Sequence, residues 1–152
     1  FTDLDHDIMA SPQDHWDIES NYKFNNDTDK NIKIGKELDI DKDGTFTING
    51  NNHVIDANNQ ASVFIFNHGT VIINNLVIRN ANASAIGIYD CELRTNNVTF
   101  ENIEIHSAKS RAIGCLIYGS DVQNFNISGI KYKNISSVLI SSCRHCIMEK
   151  SV

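Results

Sequence analysis

Apolar and polar residues alternate one by one along much of this chain, the period of a strand with one buried face. The alternation recurs at a fixed distance. Residues 61–82, ASVFIFNHGTVIINNLVIRNAN, lie over residues 83–104, ASAIGIYDCELRTNNVTFENIE, without a gap at a shift of 22 (83 − 61). Phe64 falls on Ile86, Phe66 on Ile88, Leu76 on Val98 and Ile78 on Phe100, while Asn74, Asn75 and Asn80 fall on Asn96, Asn97 and Asn102. Upstream, His53, Val54 and Ile55 match Leu76, Val77 and Ile78 at a shift of 23 (78 − 55). A third copy follows at a shift of 27 if residues 105–109 are an insertion. It carries Ala85, Ile86 and Gly87 to Ala112, Ile113 and Gly114, and Asn97, Val98 and Phe100 to Asn124, Phe125 and Ile127. A fourth, partial copy begins near Val138.

A unit this short has no room for a helix and cannot bury its apolar face alone, whereas stacked copies bury one another's. The pattern predicts an all-β fold, a right-handed parallel β-helix with coils of about 22–27 residues rising by about 4.8 Å each. On this register Ile78 and Phe100 share an interior column, and Asn75 and Asn97 share a turn column. Recurring Asn at a turn has two physical uses, amide ladders between coils and tolerance of left-handed backbone. Residues 1–10 place Phe1, Leu4, Ile8 and Met9 at helical spacing, with Thr2 as N-cap and Pro12 just beyond. The expected layout is one domain over 1–152: a cap at 1–20 with strands at 16–20 and 21–24, first coils to 60, repeat coils at 61–82, 83–109 and 110–136, and a partial coil at 137–152. The last stretch shows no comparable cap, which leaves that end able to self-associate end-on.

Composition narrows the functional classes. The chain has 152 residues with 13 Lys and Arg against 19 Asp and Glu, for a net charge of -6, the wrong sign for a phosphate-binding face, so no nucleic-acid partner is expected. No apolar run approaches the roughly 20 residues of a membrane span. The first residue is Phe1 rather than Met, as expected of a piece trimmed or processed from a longer product. About twenty Asn, a similar number of Ile and a single Pro depart from ordinary usage and suit many short strands joined by turns.

The segments FTDLDHDI, NYKF, NIKIGKELDI, INGNNHVIDANN and VIINNLVIRNA with its echo NNVTFENI together resemble the adhesin-like surface proteins of methanogenic archaea. Those proteins carry parallel β-helix repeats related to the pectate-lyase fold. The resemblance covers nearly the whole chain, and INGNNHVID is its most specific part. It implies a secreted, extracellular cell-surface protein that attaches to carbohydrate or protein on another surface, with no catalytic motif and no cofactor.

Several residues invite chemistry. Polysaccharide lyases of this fold use carboxylates to hold calcium and a basic group to take a proton beside a uronate. The stacking places His68 beneath Asp90, and Arg94 beneath Asp121, so Asp90, Arg94 and Asp121 are the candidate catalytic set; the simpler reading is an exposed ion pair between coils. If Phe64, Ile86, Ile113 and Cys115 point inward, then Ala85, Gly87, Ala112 and Gly114 form a flat outward face, the candidate binding surface. Cys115 then sits in the core, and Cys91 is out of step with it for a disulfide. Cys143 and Cys146 have zinc-knuckle spacing around His145, but no second such pair supplies the remaining ligands. Asn26, Asn82, Asn97, Asn126 and Asn134 each begin an N-x-[ST] sequon, weak support for an external location; a ladder at Asn97 would withdraw it.

Finally, Asp39, Asp41 and Asp43 followed by Gly44 open like a calcium loop. The twelfth position is Gly50, where such a loop requires a bidentate Glu, and Leu38, Ile40, Phe46 and Ile48 keep the strand period on either side. Residues 41–44 are therefore expected to be a tight turn between two strands.

Overall fold

The computed structural model describes residues 1–82, 85–101, 117–120 and 130–133. It begins with helix α1 (Thr2–Ala10), followed by β1 (His15–Asp17), β2 (Tyr22–Lys23), β3 (Ile34–Asp39), β4 (Thr45–Asp56), β5 (Ser62–Asn67), β6 (Thr70–Arg79), β7 (Ile86–Tyr89), β8 (Glu92–Glu101), β9 (Ile117–Ser120) and β10 (Ile130–Lys133). From β3 onward, successive strands alternate between two sheets. One runs β1-β4-β6-β8-β10 with β2 also against β4, the other β3-β5-β7-β9, and every pairing is parallel. The protein is thus mostly β, with parallel sheets and one short N-terminal helix among the described residues.

The register between β6 and β8, and between β5 and β7, is the shift of 22 expected from the repeat: Leu76 pairs Val98, Ile78 pairs Phe100, and Phe64 pairs Ile86. Ile78 and Phe100 are both completely buried. The shift of 23 also holds, with His53 on Leu76 and Ile55 on Ile78. It starts only after a break, because Asn49 pairs Asn74 at a shift of 25 (74 − 49). The extra residues in β4 are taken up where Asn51 and Asn52 adopt left-handed backbone, φ 52° and 63°, the conformation Asn tolerates better than most residues. Gly50 sits beside this irregularity because a Cβ there would lie 2.3 Å from the carbonyl oxygen of Asn75.

The third copy is not where a shift of 27 puts it. Gly87 pairs Tyr118, a shift of 31 (118 − 87), and Val98 and Phe100 pair Ile130 and Tyr132, a shift of 32 (130 − 98). Residues 125–127 and 130–132 both alternate, and the pairing selects the later segment, so the insertion is about twice as long as the sequence suggested. Residues 112–115, 121, 124–127 and 134–152 lie outside the described residues, and with them the fourth copy and the C-terminal end.

The interior draws on both sheets: Phe64, Phe66 and Ile86 from one and Ile48, Ile73, Ile78 and Phe100 from the other belong to one buried cluster. Phe64 and Phe66 stack with ring centroids 5.2 Å apart. Helix α1 closes the cluster at the N-terminal end with Phe1, Leu4 and Ile8 buried; Met9, expected on the same face, is 65% exposed. Phe1 meets Phe24 edge-on at 5.5 Å, and the Tyr22 phenol donates to Asp7 at 2.6 Å, tying β2 to the helix. Strands expected over 16–20 and 21–24 are shorter, as β1 and β2.

The helix start is held by a residue the local pattern does not reveal. Phe1 rather than Thr2 is the N-cap, and its own side chain makes no capping hydrogen bond. Instead Asp29, 2% exposed, accepts from the Phe1 nitrogen, from the Thr2 N–H at 3.0 Å and hydroxyl at 2.8 Å, and from the Asn25 N–H at 2.8 Å. Burial works to raise the Asp29 pKa, but these donors to the charged form outweigh it and hold the carboxyl well below its usual range. Because the folded-state pKa is depressed, this stabilisation is full above the ordinary carboxylate value of about 3.9 and is lost as the pH falls toward the folded-state value. Asp29→Ala, which leaves several buried donors without an acceptor, should cost about 3 kcal/mol in urea unfolding near neutral pH. Asp29→Asn should flatten the acid limb of the stability curve between about pH 5 and about pH 2; an unchanged acid limb would show that the clamp contributes nothing.

Candidate functional site

The turn between β3 and β4 is the tight turn expected at 41–44: the Gly44 N–H donates to the Asp41 carbonyl at 2.8 Å. Asp39 is 2.9 Å from the His68 imidazole. Among the described residues no group of three or more His, Cys, Asp or Glu side chains is placed to hold a metal ion. Asp39, Asp41, His68 and Asp90 do share, with Ile40 and Lys42, the rim of a depression of about 550 Å³. His68 and Asp90 occupy equivalent left-handed turns, φ 64° and 49°. Both belong to corners of the chain, where backbone geometry accounts for their position without reference to chemistry.

The candidate catalytic set is not assembled among the described residues. Asp90 lies at the turn before β8, whereas Arg94 extends from β8 itself and its Nε donates to Glu92 at 3.1 Å. Asp121 lies outside the described residues, as do Cys115, Cys143, His145 and Cys146. Cys91 is buried at 3% exposure, and burial pushes its thiol up to about 12, far from the thiolate that nucleophilic chemistry needs.

The candidate binding face is corrected by burial. Ala85 is fully buried in the core cluster, and its carbonyl accepts from both Val63 at 3.1 Å and Phe64 at 3.0 Å. In the neighbouring strand Val63 and Phe64 are consecutive and both buried, so strict alternation stops there, and extrapolating it assigned Ala85 to the wrong side. Gly87 is buried too; with no side chain, it presents little surface in a row shared with Ile65 and Tyr118. Ala112 and Gly114 lie outside the described residues.

The outward surface of the other sheet is where polar groups line up. In one row Asn49 donates its amide to Asp17 at 2.7 Å and accepts from Asn74 at 3.2 Å, with Asn96 next in register. One residue along, Asn97 donates to Asn75 at 2.9 Å. Asn75 and Asn97 are both left-handed, φ 52° and 55°, so both uses of Asn operate at the same residues. The ladder faces outward, and Asn97 is exposed with its amide engaged. Of the other sequons, Asn26 is exposed and Asn82 half-buried; Asn126 and Asn134 lie outside the described residues.

A second row went unnoticed in the sequence. Lys23, Asp56, Arg79, Glu101 and Lys133 pair in succession across β2, β4, β6, β8 and β10, an alternation of charge at shifts of 23 (79 − 56) and 22 (101 − 79) that the repeat already contained. Arg79 Nε is 3.5 Å from Glu101, an ion pair too long for a hydrogen bond. Asp56 is occupied by Asn80 at 2.9 Å and the Asn58 N–H at 2.8 Å.

No family model, no curated protein and no solved structure matches this chain. Among the described residues no helix is long and apolar enough to cross a membrane.

If the left-handed turn matters more than the amide contact, Asn97→Gly should be nearly neutral while Asn97→Ala costs about 1 kcal/mol. If the ladder hydrogen bond dominates, both should lose about the same. Thermal unfolding of the two variants decides between them.

Proposed function

We propose that the chain is a right-handed parallel β-helix and a non-catalytic module of a secreted, extracellular cell-surface adhesin, displaying a rigid face to carbohydrate or protein on another surface. The fold reading is supported by strands that alternate between two parallel sheets at shifts of 22 and 23 residues, the length of one coil. The functional reading rests on one observation, the outward amide row from Asp17 through Asn49 to Asn74. Each ladder bond uses one amide N–H of the donor and one lone pair of the acceptor, so Asn49 keeps a donor and an acceptor free. Fixed at strand spacing, these groups meet a hydroxyl-rich ligand with little ordering cost. The resemblance to adhesin-like proteins points the same way.

The alternative is a polysaccharide lyase or glycoside hydrolase of the same fold, since fold alone does not fix activity. Its support is the depression with Asp39, Asp41, His68 and Asp90 on its rim, and its weakness is that Arg94 is engaged elsewhere. A glycan array run beside a uronide-cleavage assay tests both. Binding without turnover, weakened about fivefold by Asn74→Ala, is the expected result; turnover abolished by His68→Ala would establish the enzyme instead.

We also propose end-on self-association through the C-terminal coil, because helix α1 covers the opposite end of the buried cluster. Sedimentation should then show concentration-dependent dimers that α1 substitutions leave unchanged, and a monomer at high concentration would remove this contact.

A further inference from the structure

The end of α1 leaves apolar surface uncovered. Met9, 65% exposed, borders a groove of about 550 Å³ between the last turn of the helix and the β3–β4 turn. Its apolar lining is Ile8, Leu38, Ile40 and Phe46, of which Leu38 and Ile40 are only partly buried. Exposed apolar surface rimmed by polar groups marks interaction sites, and this rim has one sign. Asp14, Asp39 and Asp41 line it, and among the described residues no Lys or Arg does. The Asp14 and Asp39 side chains are 81% and 78% exposed. His15 at 2.7 Å and His68 at 2.9 Å contact these two carboxylates.

We propose that this groove docks a short segment of a partner protein presenting an apolar side chain flanked by lysine or arginine. Charge complementarity selects that occupant: the apolar lining supplies contact area, and the carboxylates steer and orient a cation beside it. An acidic segment is disfavoured there, because like charges across an interface repel. The groove uses none of the residues of the amide rows, so the proposal does not depend on glycan binding.

Three blocked peptides of equal length test it: Lys-Phe-Lys-Leu-Lys, its Glu counterpart Glu-Phe-Glu-Leu-Glu, and Lys-Ser-Lys-Ser-Lys. The readout is the Met9 methyl resonance, which is readily assigned in a chain with two methionines. The first peptide should shift it saturably and the other two should not. Added salt should weaken the binding, and Asp14→Asn combined with Asp41→Asn should weaken it about tenfold. Both changes are at exposed side chains, and circular dichroism will register any loss of fold. No saturable shift with the first peptide, a shift common to all three, or binding indifferent to the paired substitution would overturn the proposal.

Discussion

Parallel pairing, held at an interval of 22 or 23 residues through the middle of the stack, is the constraint on which the rest of this structure depends. Because each strand in the middle of the stack meets its counterpart one interval later, like residues lie on like: Ile55 on Ile78 on Phe100 inside, and Asn49 on Asn74 on Asn96 outside. A side-chain period of two makes this register unforgiving, since a slip of one residue would turn the buried column Ile78–Phe100 outward. The interval therefore has to be defended wherever the chain length between strands changes. At residues 50–52 the defence is local: a glycine that tolerates close approach and two left-handed Asn absorb the surplus and return the strand to register.

The two ends of the described stack meet the constraint differently. At the N-terminal end α1 covers the apolar column. The helix is short and its termini have unpaired backbone groups, so its seat depends on Asp29, which gathers donors from both the helix start and the Asn25 turn. Packing by Phe1, Leu4 and Ile8 supplies area, while Asp29 fixes where the helix begins. Further along, β9 and β10 keep parallel pairing although the interval has grown to 31 and 32 residues.

How much of this was legible varied with the range of the interaction. The interior column, the Asn column, the β3–β4 turn and the helical cap follow from local periodicity and turn chemistry, and the structure contains each of them. The second interval was misread because residues 125–127 and 130–132 offer the same alternation, and long-range pairing decides between them. Ala85 was misplaced because Val63 and Phe64, one strand away, are buried in succession. Asp29 sits in the polar run NNDTDK with nothing to mark it as buried, since three of its four donors come from residues 27 or 28 positions earlier. Of the candidate catalytic set, Asp121 lies outside the described residues, and Arg94 donates to Glu92, a neighbour two positions away that the repeat does not mark.

The charged row across β2, β4, β6, β8 and β10 carries a rule of parity. Lys23, Asp56, Arg79, Glu101 and Lys133 alternate in sign along the register, and opposite charges facing across strands are favourable. Deleting a single interior rung, or duplicating one, would bring two like charges into register. Removing or adding two adjacent rungs would leave the alternation intact. The architecture can thus lengthen or shorten in even steps with its surface electrostatics preserved, and odd steps require a compensating charge change at the junction.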